Sequence, residues 1–229
     1  MNIAVLTGAG ISAESGISTF RDGNGLWNNY DITEVASPNG WKKHPEIVLD
    51  FYNERRKQLV NVKPNKAHFA LSKLQDFFRV NIITQNVDDL HERAGSKNVL
   101  HLHGELFKVR SENDENLSYI WKKDLKIGDL AEDGHQLRPD IVWFGEAVPN
   151  ISKAIQIISD ADYLWIIGTG MQVYPAAGLV QYLKKDAKIY YIDPKPNPLQ
   201  VSNELEIIPK KAGIAIPKLV DIFISKFKR

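Results

Sequence analysis

Hydrophobic residues in this 229-residue chain gather in short unbroken runs rather than in alternating ones. Ile3–Leu6 is the first, followed by Val80–Thr84, Val99–Leu102, Ile141–Phe144, Tyr163–Ile167 and Lys188–Ile192, with Glu206–Ile208 a weak last run. Runs rich in β-branched and aromatic residues and bounded by turn signals predict strands covered on both faces. Between them the period changes. Ala67–Phe78 carries Phe69, Leu71, Leu74, Phe77 and Phe78, and Ser152–Ser159 carries Ala154, Ile155, Ile157 and Ile158, as amphipathic helices do. Alternating strands and helices imply an α/β fold with a doubly wound, Rossmann-like parallel sheet. Two segments break the rhythm: Arg21–Lys66 reads as a helical insertion, and Lys108–Arg138 is polar and irregular. They predict a small second module on a core of about residues 1–20, 67–107 and 139–229, all within one domain spanning 1–229.

The strand ends carry the chemistry. After the first run comes Thr7-Gly8-Ala9-Gly10-Ile11-Ser12-Ala13, a G-x-G-x-x-A turn. In such a turn Gly8 allows a tight bend, Gly10 lets the backbone approach a pyrophosphate, and Ala13 lets a following helix pack close, its N-terminus facing an anion. Short glycine turns also join strands to helices without any ligand. Ile167-Gly168-Thr169-Gly170 repeats the theme, and Val173–Gly178 then opens a helix with Pro175 near its first position. Asp193 ends another strand, where an acid can bond a ribose hydroxyl, and reads equally as a turn residue before Pro194.

Thr84-Gln85-Asn86-Val87-Asp88 closes a buried strand with consecutive polar side chains, which would line a crevice at the carboxyl edge of the sheet. Asn86 or Asp88 could instead cap a helix around Asp89–Ala94. His103, in Leu102-His103-Gly104-Glu105, stands at the next strand end as a candidate general base, although a lone histidine is more often structural.

Composition narrows the partners. Formal net charge is +1, which argues against a protein held on nucleic acid by phosphate contacts. Hydrophobic and charged fractions of 43% and 25% are those of a soluble globular chain. No run reaches a membrane span and a strand starting near residue 2 leaves no room for a signal peptide, so a cytoplasmic location is expected. There is no cysteine, which excludes disulfides, thiolate metal sites and cysteine nucleophiles, and the six histidines form no H-x-x-x-H pair.

The ordered blocks GAGIS-x-x-SGI-x-x-FRD, TQNVDDLHERAG, LHLHGEL, LRPDIVWFGE and IGTGMQVYPAAG resemble the signature blocks of the sirtuins, NAD-dependent protein lysine deacylases, over about residues 2 to 220. The resemblance implies that Gly8, Ala9, Gly10, Glu14, Phe20 and Arg21 form the NAD loop. It implies ribose contacts for Gln85 and Asn86, carboxamide binding for Asp88, and adenosine-side contacts for Gly168, Thr169, Asp193 and Ala212. His103 would be the base that activates the ribose hydroxyls. Nicotinamide would leave, the acyl oxygen of the modified lysine would attack C1′, and O-acyl-ADP-ribose and free lysine would result. Val142, Phe144, Gly145 and Glu146 would offer a strand edge, with Val173 and Tyr174 opposite, to an extended acyl-lysine peptide.

Tyr52 and Arg55 stand at i and i+3 of a helix within His44–Arg55, on one face. Alone they read as a partly packed tyrosine and a solvated arginine. Within the sirtuins, Y-x-x-R resembles the mark of the subgroup that removes succinyl and malonyl groups, with Ala36 as the small residue of a widened acyl pocket. A guanidinium and a phenol suit a distal carboxylate. Most sirtuins also hold a structural zinc with four cysteines, whereas this chain has Ser111 where the first is expected, so no zinc is predicted. Leu117, Tyr119, Ile120, Trp121, Leu125, Ile127 and Leu130 would form an apolar cluster in its place. Ser18 and Gly170 also depart from the common proline and serine. An NAD hydrolase or ADP-ribosyltransferase would use the same pocket but gives Ala36, Tyr52 and Arg55 no role. A non-catalytic NAD sensor would not need intact Asn86, Asp88 and His103. The oligomeric state is open, with a monomer compatible.

Overall fold

A computed structural model describes residues 1–18, 26–27 and 30–227. In chain order the regular elements are β1 (Asn2–Thr7), β2 (Leu26–Trp27), β3 (Tyr30–Asp31), α1 (Ile32–Val35), α2 (Pro38–Lys43), α3 (Pro45–Asn61), α4 (Lys66–Leu74), β4 (Arg79–Thr84), α5 (Leu90–Arg93) and β5 (Val99–His101). Then follow β6 (Gly104–Ser111), β7 (Ser118–Ile120), β8 (Leu137–Ile141), α6 (Ile151–Ser159), β9 (Tyr163–Ile167), β10 (Lys188–Ile192), β11 (Leu205–Ile208) and α7 (Ala212–Phe227).

Six strands form one parallel sheet in the order β11-β10-β9-β1-β4-β5. That is the doubly wound Rossmann-type order, and its direction reverses between β1 and β9. Strand residues alternate between two cores. Ile3, Val5, Val80, Ile82, Trp165, Ile167 and Ile192 pack on α4 and α7, while Ala4, Leu6, Ile83, Leu164, Ile166, Ile189 and Tyr191 pack on α6 and the 3-10 helix Ala176–Tyr182. With both faces covered, alternation at the sequence level disappears because nearly all positions of the central strands β1, β9 and β10 are buried.

The run Ile141–Phe144 is a correction. Its strand is β8, ends at Ile141, and pairs antiparallel with β6 in a separate three-stranded sheet, β7-β6-β8. The chain turns at once because the Glu146 carboxylate accepts the Trp143 amide at 2.7 Å and Gly145 adopts φ +94°. Residues 104–107, expected in the core, likewise open the small sheet at Gly104, whose φ is +82°. Pro175 is the N-cap of its 3-10 helix rather than its first residue.

The small sheet, with α2 and α3, holds Leu49, Val109, Leu125, Ala131 and Leu137 in a cluster bordered by Trp41, Tyr119 and Trp121. Ile120, Ile127 and Leu130, expected there, are exposed. Polar ties close the segment instead. The buried Ser111 hydroxyl donates to Asp133 at 2.7 Å and accepts the amides of Asn113 and Asp114 at 3.1 and 3.3 Å. Asn53 of α3 bonds both the amide and the carbonyl of Leu125, at 2.9 and 3.0 Å.

Candidate active site

β1 and β9 are neighbours at the point where the strand order reverses, the place beyond whose strand ends open parallel sheets bind ligands. Gly8 follows β1 and Gly168 follows β9. The Gly8 amide donates to the Ile167 carbonyl at 3.0 Å and the Gly10 amide to the Gly168 carbonyl at 2.8 Å. A Cβ on Gly10 would lie 2.7 Å from Gly168 Cα, and one on Gly8 2.7 Å from Thr169 Cβ. A side chain at Gly10 is therefore excluded by the backbone of the neighbouring loop. Nor does an α-helix follow. Two 3-10 turns, Ala9–Ile11 and Ala13–Ser15, take its place, and Ala13 is exposed rather than packed on the strand. What remains is a floor of small residues, Gly8, Ala9, Gly10 and Gly168, at the switch point of the sheet, which suits a flat or extended dinucleotide.

Around this floor the polar residues interlock. Gln85 Nε2 donates to Thr169 Oγ1 at 3.0 Å, spanning the end of β1. Ser12, not singled out from the sequence, is a hub: its hydroxyl donates to Asp88 at 2.9 Å and accepts Asn86 Nδ2 at 3.2 Å. His68 Nε2 lies 3.5 Å from the same hydroxyl, and its Nδ1 accepts the Asn65 amide at 3.2 Å. Asp88 also accepts the Leu90 amide at 3.1 Å, so it serves α5 as well as the crevice. Burial pushes its carboxyl pKa up, against the Leu90 and Ser12 hydrogen bonds.

His103 Nδ1 lies 3.0 Å from the Gln85 carbonyl. A carbonyl only accepts, so Nδ1 carries the proton and Nε2 keeps its lone pair. Burial lowers the His103 pKa below the ordinary histidine value, with the Gln85 bond opposing. The ring is thus a neutral base at physiological pH. Two residues earlier, at the end of β5, His101 Nδ1 lies 3.0 Å from the next carbonyl, that of Asn86. Consecutive carbonyls of one loop are each gripped by a histidine.

At the end of β10, Asp193 is buried and accepts the Lys195 amide at 2.8 Å, its turn-residue role. Glu14 accepts the Gly213 amide at 2.7 Å in the first turn of α7, where its charge complements the helix dipole. Ala212, beside it, sits in the core. Phe20 and Arg21 lie outside the described residues.

A second group of residues lies under the small module. Tyr52 and Arg55 are buried, at 1% and 7% exposure, so the solvated-arginine reading is corrected. Trp143 Nε1 donates to the Tyr52 hydroxyl at 3.0 Å, which leaves the phenolic proton without an acceptor among the described residues. Burial pushes the phenol's pKa up, so it stays a donor. The Arg55 guanidinium lies 3.8 Å from the Phe51 ring centre, and burial lowers its pKa to about 10, still charged at neutral pH. Ala36 packs in the same cluster as Tyr52, Phe51 and Trp143.

The run 142–146 is not a free strand edge. Val142 N donates to His103 O at 3.0 Å, Phe144 N to Ala36 O at 2.9 Å, and Glu146 N to Trp143 O at 3.0 Å. With Trp143 N on the Glu146 carboxylate, only the Gly145 amide in this run has no internal partner among the described residues. Glu146 also holds Arg138 through two bonds at 2.7 and 3.1 Å, and that guanidinium stacks 3.3 Å from the Trp143 ring centre. Phe144, Val173 and Tyr174 are the exposed apolar residues of the two loops.

An open parallel sheet whose switch point is floored by glycine, with an amide–carboxylate–imidazole set at its mouth, defines a dinucleotide-using α/β enzyme. The chain belongs to the Sir2 family, whose profile matches residues 8–175. It is 60% identical over 225 residues to an NAD-dependent protein deacylase of Helicobacter pylori, covering 96% of this chain and 98% of that protein. Its fold is similar to a Sir2 homologue solved with NAD, with TM-score 0.88 and 41% identity over 98% of this chain and 90% of that one. It is also similar to a Sir2 protein bound to an acetylated peptide, with TM-score 0.79 and 28% identity over 98% of this chain and 92% of that one.

Proposed function

We infer that this chain is an NAD-dependent protein lysine deacylase whose preferred acyl groups end in a carboxylate. The observation that carries the deacylase reading is His103. Its Nδ1 proton is committed to Gln85, and its lowered pKa leaves Nε2 unprotonated beside the Gln85–Asp88 loop. NAD, when bound, supplies an electrophilic ribose carbon once nicotinamide departs. His103 Nε2 takes a proton from a ribose hydroxyl, Asn86 and Gln85 hold that ribose, and Asp88, fixed by Ser12, meets the carboxamide. The glycine floor receives the phosphates, and Thr169 and Asp193 border the adenosine. The peptide enters along Val142–Glu146 and the Val173–Tyr174 loop, the Gly145 amide being the main-chain donor left for it.

The acyl preference rests on Tyr52 and Arg55, a phenol whose proton has no acceptor among the described residues and a buried cation one turn along α3, with Ala36 packed in the same cluster as Tyr52. Each charge-assisted bond to a distal carboxylate contributes about 1.5–3 kcal/mol. We read the small module as folding without zinc, on the Ser111–Asp133 tie. NAD-dependent turnover of matched acetyl, malonyl, succinyl and glutaryl peptides tests the whole reading. Equal efficiency on acetyl and succinyl peptides would refute the preference, and nicotinamide release without any acyl peptide would favour an NAD hydrolase or ADP-ribosyltransferase.

A further inference from the structure

We propose that His101 is a positioning residue of this site: a doubly protonated imidazolium that ties the Asn86 carbonyl to α5 and so fixes the Gln85–Asp88 loop. The proposal rests on the roles given above to Asn86 and His103.

With Glu92 ionised, the geometry calls for the doubly protonated ring. Nδ1 lies 3.0 Å from the Asn86 carbonyl, which can only accept. Nε2 lies 2.8 Å from a Glu92 carboxylate oxygen, an acceptor when ionised. Two acceptors require two N–H groups, and only the imidazolium has both. Either neutral tautomer would set a nitrogen lone pair against an oxygen lone pair at one end of the ring.

The charged groups around the ring agree. Glu92 faces it from α5, and Glu105 of β6 lies 3.8 Å from the same nitrogen, itself paired with Lys108. Asp88 faces this region from the loop, while His91 of α5 is held neutral, its pKa well below the ordinary value chiefly through burial. Burial of His101 opposes its charge, but the Glu92 bond and charge outweigh it, and its pKa is raised. The main chain is fixed too, since Asn150 Nδ2 donates to the His101 carbonyl at 2.8 Å.

The pair therefore divides its work. His103 grips Gln85 with one nitrogen, and its other nitrogen has no partner among the described residues. His101 grips Asn86 with one nitrogen and spends the other on Glu92. The carboxylate makes one histidine a fixed cation and leaves its neighbour a base. Loss of the His101 proton at alkaline pH breaks one of the two ties, so an alkaline limb of activity belongs to His101.

Long-range nitrogen–proton NMR of histidine-labelled protein reads the ring directly, and a wild-type imidazolium pattern at pH 7 is expected. Glu92→Gln should move both that titration and the alkaline limb of kcat down by about one unit or more, with the limb on the acid side unmoved. His101→Gln should lower kcat at least tenfold and abolish the alkaline limb of the wild type. A neutral His101 at pH 7, or an alkaline limb that stays in place in a folded Glu92→Gln variant, overturns the proposal. An imidazolium in a protein that turns over no acyl peptide supports the clamp while overturning the functional reading.

Discussion

Gly10 and Gly168, 158 positions apart in sequence, meet with a 2.8 Å hydrogen bond and no room for a methyl group between them. A Cβ on Gly10 would lie 2.7 Å from Gly168 Cα, and Gly168 itself, at φ +62°, would drive a Cβ to 2.4 Å from the Ile11 amide nitrogen. Backbone, not a flexible side chain, is what each would strike. Gly10→Ala should therefore part the two loops, with an overpacking cost of about 1–3 kcal/mol. The expected outcome is a lower thermal midpoint and an increase in KM for NAD of tenfold or more. Unchanged NAD affinity by calorimetry would contradict it.

His103→Tyr removes the base without touching the glycine floor. Deacylation should fall by about 10²–10⁴-fold, the usual contribution of a positioned general base, while NAD still binds. In the wild type the base works in its neutral form, and its pKa lies below the ordinary histidine value. Activity should therefore be lost as pH falls through a pKa below 6.5, and the acid limb of kcat/KM locates it.

Arg55→Met should cost succinyl and malonyl peptides about 10²-fold in kcat/KM, from the loss of one charge-assisted pair, and change acetyl peptides little. Tyr52→Phe should act in the same direction with a smaller effect. A parallel series of kcat/KM values across the four acyl groups checks both.

The Glu146–Arg138 pair is a stability element. Arg138 is nearly buried and stacks on Trp143, and it also donates to the Ile141 carbonyl at 3.0 Å. Glu146→Ala would strand that charge, at a cost of about 3 kcal/mol, typical of breaking a buried pair. Despite burial, which raises it, the Glu146 pKa is lowered by the Arg138 bond and the Trp143 amide. A depressed carboxylate stabilises the fold above its unfolded pKa and loses that contribution on acidification. Wild-type stability should thus fall below about pH 4.5, the unfolded glutamate value, and Glu146→Ala should flatten that fall. Urea melts between pH 3 and 7 measure it.

Ser111→Ala removes the acceptor of two loop amides and should lower stability by about 1 kcal/mol, as loss of a side-chain cap does. Differential scanning calorimetry of the variant gives the shift.

The parallel sheet was legible because its central strands are buried runs, each with its own turn signal. Ile141–Phe144 misled for the same reason: it is apolar throughout, yet its last residues serve a turn held by Glu146. The polar strand ends Gln85, Asn86, Asp88 and His103 stood out because a buried sheet gives polar side chains no local purpose. Ser12 and His101 were not singled out, since their roles depend on partners distant in sequence or on main-chain atoms. For His101 the signal was its place at the end of a buried run, two residues before His103. The module's cohesion was misread towards Ile120, Ile127 and Leu130 because apolar residues were expected where Ser111 and Asp133 do the joining.

That joining bears on where and when the protein can fold. A module clasped by thiolates around a metal inherits two external variables, the free metal concentration and the redox poise of its surroundings. The bond from Ser111 to Asp133 involves no thiolate. Oxidants that scramble thiols find none in this chain, so the hydrogen bonds around Ser111 are not open to that attack.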